Sequence, residues 1–506
     1  MCGITAIVNK NNSAIEEGLI KRMNDKIIHR GPDDEGVFLG ANFGFGFRRL
    51  SIIDLSISGH QPMVYPNGNV IIFNGEIFNY VELKTEMEAN GYVFRSKTDT
   101  EVILAAYEMW GQACVRKFNG MWAFVIFDKA NNILFCSRDR FGIKPFNYWD
   151  GGSQFAIVSE IKQLTVLESF RPVVDTENAI RFLVKRQLNV NSGTMFKDVK
   201  SLDAGCNLVY NLNSHTDSVS QYYSPRHIEI NTDMTFREAS IRFEELFRRS
   251  VEIRLRSDVP VGSCLSGGLD SSSIVSMASK IGSESLKATT ISSCYRDQRY
   301  DEQEYIDEMT RAVQFQSIKI YPEIDHLLDR DLLSTIVYSQ DQPIKSASHF
   351  SEYSVFEEAK RSNLIVMLDG QGSDEFLGGY LPFRYYNLDL LKHFKWKKLF
   401  EELYWQKKNH FDLSTLIGLN FRNILSGFGA VRSLNNKLSF PDWIDNSYAD
   451  ASFDEDFDSP SFDSYRKNSL VEIIHTSIPY QLHSEDRNSM WHSVESRLPF
   501  LDFDLA

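Results

Sequence analysis

Between Val259 and Ser279 the chain reads VPVGSCLSGGLDSSSIVSMAS, and no other stretch restricts its possible folds as much. A short strand pattern runs into Ser266-Gly267-Gly268-Leu269-Asp270-Ser271-Ser272, and a helical pattern leaves from Ser271. Glycines let backbone amides close on an anion, and a helix start carries partial positive charge. No Lys follows the glycines, so this is not a Walker loop; an acid at position 270 suits Mg²⁺ beside phosphates. Taken alone, the stretch is also compatible with a glycine turn capped by Asp270. The form returns in NLIVMLDGQGSDEFLGGY, a strand, a glycine-rich loop and an acidic pair, with Asp374 as a candidate second Mg²⁺ ligand. Strand and helix patterns alternate from VGSCL through LKATTISS, EYIDEMTRAV, SIKIY and NLIVMLDG. That alternation predicts a parallel, doubly wound α/β sheet with ligands at its strand ends.

The first 165 residues follow another pattern. GITAIVN, GNVIIFNG, MWAFVIFD and NNILFCSRD are short apolar runs between Gly, Asn and Asp turns. Helical patterns interrupt them at IEEGLIKRMNDKIIHR and DTEVILAAYEMWG, which predicts an α+β layered domain. Residues 165–235 read as hairpin-like and then as a polar linker, after which TFRE at Thr235 forms a capping box that opens a helix. The segment from 381 to about 410 reads as helical, and YADASFDEDFDSPSFDSY as a solvated acidic loop without calcium-loop spacing. The N-terminal MCGI leaves two readings open. Cys2 is a small residue starting a strand, or, with Met1 removed, it carries a thiol and a free α-amine on one carbon.

Bulk properties exclude some classes of function. A net charge of −14 over 506 residues argues against non-specific binding to nucleic acid or anionic membrane. Apolar runs fall short of the ~20 residues that span a bilayer. No basic-then-apolar leader opens the sequence, and the six cysteines form no CxxC pair. The expectation is a reduced, cytoplasmic protein.

SGGLDSS followed by LDGQGSDEFLGGY resembles the ATP-pyrophosphatase branch that contains the glutamine-dependent asparagine synthetases. MCGI, HRGPDDEG, RLSIIDLSISGHQPM, NGEIFNY, TDTEVIL, NGMWAFVIFD and RDRFGIKPFNYW are similar, in order, to that family's N-terminal-nucleophile glutaminase domain. DRNSMWHSVESRLPFLD resembles its C-terminal helical segment. The resemblance implies a layered glutaminase domain with antiparallel sheets between helices over residues 1–220. It implies an α/β doubly wound ATP-pyrophosphatase domain with a helical C-terminal part over 221–506. It makes Cys2 the nucleophile and its α-amine the base. Asn74 and Gly75 become the oxyanion hole, and Arg49, Leu50, Ser51, Ile52, Ile53, Glu76 and Asp99 the rest of the glutamine site. By the same resemblance ATP falls to Leu265, Ser266, Gly267, Gly268, Asp270, Ser271, Ser272, Ile291, Asp369 and Gly370. Mg²⁺ falls to Asp270 and Asp374, and Arg487 to the acidic substrate or a phosphate. The implied partners are glutamine, ATP and an acidic acceptor, usually aspartate, in a homodimer. Two departures stand out. Gln371 occupies a position where well-studied members carry Glu, and the chain ends at LDFDLA, before the family's phosphate-contacting Lys, so a C-terminally incomplete synthetase half is expected.

Overall fold

The computed structural model describes residues 2–188, 192–229, 231, 233–297, 299, 301–379, 383–408 and 465–506. Contacts divide it into two compact units, one formed by Met1–Asp175, Asn191–Gln371 and Tyr480–Ala506, the other by Thr176–Val190 and Gly372–Pro479.

The first unit holds three sheets. One is antiparallel and runs, edge to edge, β10 (Val199–Ser201), β8 (Asn147–Asp150), β9 (Gln154–Val158), β1 (Gly3–Asn9), β3 (Phe43–Arg49) and β2 (Asp34–Leu39). A second antiparallel sheet runs β12 (Thr216–Gln221), β11 (Cys206–Asn211), β7 (Ile133–Arg138), β6 (Gly120–Asp128), β5 (Val70–Ile77) and β4 (Met63–Val64). Ile4, Phe45 and Phe47 from the first meet Ile72, Val125 and Leu208 from the second in one core. Helix Glu17–Asp25 sets Ile20 and Met23 against the outer side of the first sheet, and helix Asp99–Trp110 covers the second with Val102, Ile103 and Ala106. A strand buried on both faces needs a continuous apolar run, which is why GITAIVN and MWAFVIFD do not alternate. The polar Asn74, Gly75 and Glu76 therefore stand out inside buried β5.

The third sheet is parallel, in the order β15 (Gln316–Ile320), β14 (Leu286–Ser293), β13 (Val261–Cys264), β16 (Val366–Leu368) and β17 (Glu495–Arg497). The chain winds outward from β13 through β14 to β15, then restarts on the other side at β16. That reversal creates a switch point between β13 and β16, and both glycine loops leave from it. The predicted capping box is present: Thr235 Oγ1 accepts from Glu238 N, and Glu238 Oε2 accepts from Thr235 N. The loop helix begins at Leu269, two residues before the sequence reading, with Gly268 as its cap. In the second unit, helices Phe383–Lys392 and Trp396–Lys408 form as the helical reading expected. The acidic stretch YADASFDEDFDSPSFDSY lies, but for its final Tyr465, outside the described residues. Among the described residues no helix is long and apolar enough to cross a membrane.

Candidate active site

Cys2 directly precedes β1 and is 8 % exposed, at one end of the paired antiparallel sheets. Its main-chain N donates to Asn74 Oδ1 at 3.0 Å, and its thiol points to the Leu50 carbonyl at 3.9 Å. Burial pushes the Cys2 thiol up from its ordinary value. Asn74 is fully buried, and its Nδ2 has no hydrogen-bond partner among the described residues. A buried amide left half-satisfied inside a strand is costly, so it marks a group reserved for something that binds there. Beside it Gly75 has φ of +151°, and a Cβ there would collide with the Met121 carbonyl of β6. Only glycine lets β5 pass β6 so closely.

Cys2, Arg49, Leu50, Ile52, Ile53, Gly75, Glu76 and Asp99 line one cleft. Arg49 is anchored on its own loop, where Nη1 donates to the Ser56 carbonyl at 2.9 Å and Nη2 to that of Asp54 at 2.5 Å. A Cβ at Gly59 would strike this guanidinium, so the glycine makes room for it. Ser51 sits at the loop's edge, its N donating to Asp33 Oδ2 at 2.8 Å. Asp99 caps the turn after Glu76, accepting from Ile77 N at 2.9 Å, and burial pushes its carboxyl up to about 7. Burial, with Asp99 next to it, holds Glu76 well above the usual carboxylate range.

At the parallel sheet, Gly267 takes φ of +89°, and the serines knit the loop: Ser266 N and Oγ each lie 3.1 Å from Ser271 Oγ, and Gly268 N donates to Ser266 Oγ at 3.2 Å. Ser272 N donates to the Gly268 carbonyl at 3.1 Å as the helix starts. Leu265 and Ile291 are buried and bonded, Leu265 N to the Ile291 carbonyl at 3.0 Å. The second loop closes on the first, since a Cβ on Gly370 would come within 3.3 Å of Asp270 Cβ and 3.4 Å of Ser271 N. Asp369 donates its N to the Arg497 carbonyl, and burial pushes its side chain up to about 6. Gln371 ends this segment half-buried. These amides and glycines form a cradle that side chains would fill, which fits a polyphosphate. Mg²⁺ bound with phosphates needs only one or two protein carboxylates. Asp270 could offer one; Asp374 belongs to the second unit, and no group of three or more metal-ligating side chains occurs among the described residues.

Arg487, which the resemblance assigns to the acidic substrate or a phosphate, is engaged within the protein. It is buried, with Nη1 at 2.8 Å from Glu160 and Nη2 at 3.3 Å from Asp341, so its charge is already matched by two carboxylates. Sequence reasoning also missed residues that line or anchor the cleft. Glu495 faces it from β17, Arg497 reaches Glu76, and Arg30 donates through Nε to the Cys2 carbonyl at 3.0 Å. No local signal marked Glu495 and Arg497: only in the folded chain does Glu-Ser-Arg become a strand removed from water.

A cysteine cleft on layered antiparallel sheets, joined to a doubly wound parallel sheet, defines a glutamine amidotransferase coupled to a synthetase. The profile described as glutamine amidotransferase domain matches residues 1–223, and the profile described as asparagine synthase matches 242–506. Asparagine synthetase (glutamine-hydrolyzing) 1 of Bacillus subtilis (strain 168) is 33 % identical over 529 residues, covering 100 % of this chain and 80 % of that protein. Putative asparagine synthetase (glutamine-hydrolyzing) 2 of Methanocaldococcus jannaschii is 35 % identical over 414 residues, 78 % of each chain. Amidase chry2 of Gibberella zeae is 27 % identical over 560 residues, 100 % of this chain and 82 % of that one. The chain belongs to the glutamine-hydrolysing asparagine synthetase family, and its activity is a glutamine-dependent amidation.

Proposed function

We propose that this chain hydrolyses glutamine at Cys2 and delivers the ammonia to a carboxylate activated by ATP, with aspartate as the first candidate acceptor. One observation carries the glutaminase part: Asn74 holds the Cys2 nitrogen through Oδ1 while its Nδ2 stays buried without a partner. With Met1 removed, that nitrogen is the α-amine. It takes the thiol proton, and the thiolate attacks the side-chain amide carbon of glutamine. Negative charge then develops on the amide oxygen, where Asn74 Nδ2 and the Gly75 amide receive it. The α-amine returns the proton to the leaving ammonia, and water hydrolyses the thioester. Arg49 takes the α-carboxylate of glutamine, and Glu76 and Asp99 its α-ammonium. Residues 1–220 are assigned to this half and 221–506 to the synthetase half.

In the synthetase half, Ser266–Ser272 hold the phosphates and Leu265 and Ile291 flank the adenine. Asp369 and Gly370 border the nucleotide, and Asp270 would hold Mg²⁺, which offsets phosphate charge when bound. The acceptor carboxylate attacks the α-phosphorus of ATP and displaces pyrophosphate; ammonia then attacks the acyl carbon of the adenylate, which gives the amide and releases AMP. Gln371 favours a second reading of the acceptor, because a neutral amide hydrogen-bonds a substrate but takes no proton. A carboxylate other than aspartate, such as a sugar acid, then fits. Pyrophosphate exchange into ATP, screened over carboxylic acids, tests the pair; exchange with none of them refutes the synthetase assignment. A homodimer and a cytoplasmic location complete the reading.

Two substitutions probe the halves separately. Asn74→Ala is expected to lower kcat for glutamine hydrolysis by ~10²–10³, the scale of one oxyanion donor, with a smaller change in KM. Asp270→Asn is expected to slow Mg²⁺-dependent pyrophosphate release by about 10²-fold while leaving glutamine hydrolysis in place. Parallel assays of glutamate and pyrophosphate release check both.

A further inference from the structure

Two residues of the parallel sheet complete the glutamine cleft. Glu495 and Arg497 lie two apart on β17, so their side chains leave the same face. Glu495 lines the cleft together with Cys2 and Asp99. Arg497 is fully buried; its Nε donates to Glu495 Oε1 at 2.6 Å, and its Nη2 lies 3.7 Å from Glu76 Oε2. Its Nη1 is fixed by the carbonyls of Arg254 and Arg256 at 2.7 and 2.6 Å, which aims the guanidinium at the cleft. Glu76 Oε1 is buried and accepts no hydrogen bond from the described residues.

The cleft thus gathers three buried carboxyls, Glu76, Asp99 and Glu495, with the Arg497 guanidinium against Glu76 and Glu495. Other ionisable groups that act on them are the Cys2 thiol, the chain's terminal amine, Tyr80 and, toward Glu495, Lys144. Arg49 lines the same cleft. Like charges so close and so dry cannot all be ionised when the site is empty. We propose that Glu495 and Arg497 are positioning residues for glutamine hydrolysis: from the parallel sheet they set the proton content of the Glu76–Asp99 pair and make capture of the glutamine α-ammonium a proton-releasing step. The inference rests on the cleft being the glutamine site.

Its sign follows from the charges that face the pair. Burial raises both carboxyls, the Glu495 charge raises them further, and Arg497 opposes the rise at Glu76. Below neutral pH the empty pair keeps a proton. An incoming ammonium needs it gone, so the proton leaves to solvent and affinity falls with pH.

The test is calorimetric titration of L-glutamine into full-length Cys2→Ala protein, in buffers of different ionisation enthalpy, at pH 6 and pH 7. The expected result is release of about one proton at pH 6 and about tenfold weaker binding there than at pH 7. Adding Glu495→Gln removes a like charge and is expected to shrink that pH effect to about threefold or less. Adding Arg497→Gln is expected to weaken binding at pH 7 about tenfold, with Arg497→Lys restoring most of it. An unchanged pH dependence in the Glu495→Gln protein overturns the proposal even where the Arg497 variants do not fold. Binding that is independent of pH in Cys2→Ala overturns it too and leaves the glutamine site standing. No binding at any pH refutes the glutamine site and the proposal together.

Discussion

In a Cys2→Ala variant, glutamine hydrolysis is expected to disappear, a loss on the order of 10⁶, while free ammonia still supports whatever pyrophosphate-releasing synthesis the chain performs. The two chemistries occupy different sheets: Cys2 stands at the head of β1, and the phosphate cradle leaves β13. Alanine keeps the main-chain nitrogen and its bond to Asn74 Oδ1, so the cleft survives and only the sulfur is lost. No second thiol can substitute. Cys114, Cys136 and Cys206 are buried in the antiparallel layers, each with its thiol pushed up by burial, and none lines the cleft. Intact-mass measurement adds an independent check, because the mechanism needs the α-amine of Cys2 to be free. Active protein that retains Met1 would refute the assignment, as would glutamate release by the alanine variant.

How far the sequence could be read depends on the range of the interaction. Strand–loop–helix punctuation is local, so SGGLDSS and its capped helix could be placed from residue types alone, to within two residues at the helix start. The polar Asn-Gly-Glu inside the apolar run VIIFNGEI was conspicuous for the same reason. Sheet order is a long-range property, and nothing in the residues around 495 says that β17 pairs beside β16. The contribution of Glu495 and Arg497 to the glutamine cleft was invisible for that reason. Arg487 illustrates the converse. The cation within DRNSM suits an acidic ligand by type, yet Glu160 lies more than three hundred residues away in sequence and Asp341 on another connection. Only the folded chain reveals that both acids lie against it.

Arg30→Met is expected to destabilise the protein by about 3–5 kcal/mol, the cost of stripping the partner from buried charges. Arg30 is fully buried and forks onto Asp486, with Nη1 to Oδ2 at 2.8 Å and Nη2 to Oδ1 at 3.0 Å. Nη1 also meets Glu160 at 2.9 Å, and Nε holds the Cys2 carbonyl. Methionine fills the volume of the side chain stem but supplies none of these donors. Glu160 keeps Lys162, Arg487 and His29 as charge partners; Asp486 is left with Lys144 at 3.9 Å and Arg487. Most of the penalty therefore sits on Asp486. Burial alone would raise its carboxyl, and Arg30 foremost brings it below its ordinary value of 3.8. A depressed acid contributes stability above its unfolded value and loses it as pH falls through the folded one. Without Arg30 that contribution vanishes and the carboxyl rises, so protonation relieves the variant first. The gap between wild type and Arg30→Met, measured by urea unfolding, should be widest near neutral pH and narrow toward pH 4. Arg30→Met/Asp486→Leu should regain part of the loss, because removing both members of a buried pair leaves no bare charge. A gap that does not change with pH would place the cost in packing around the Cys2 carbonyl instead of in the ion pair.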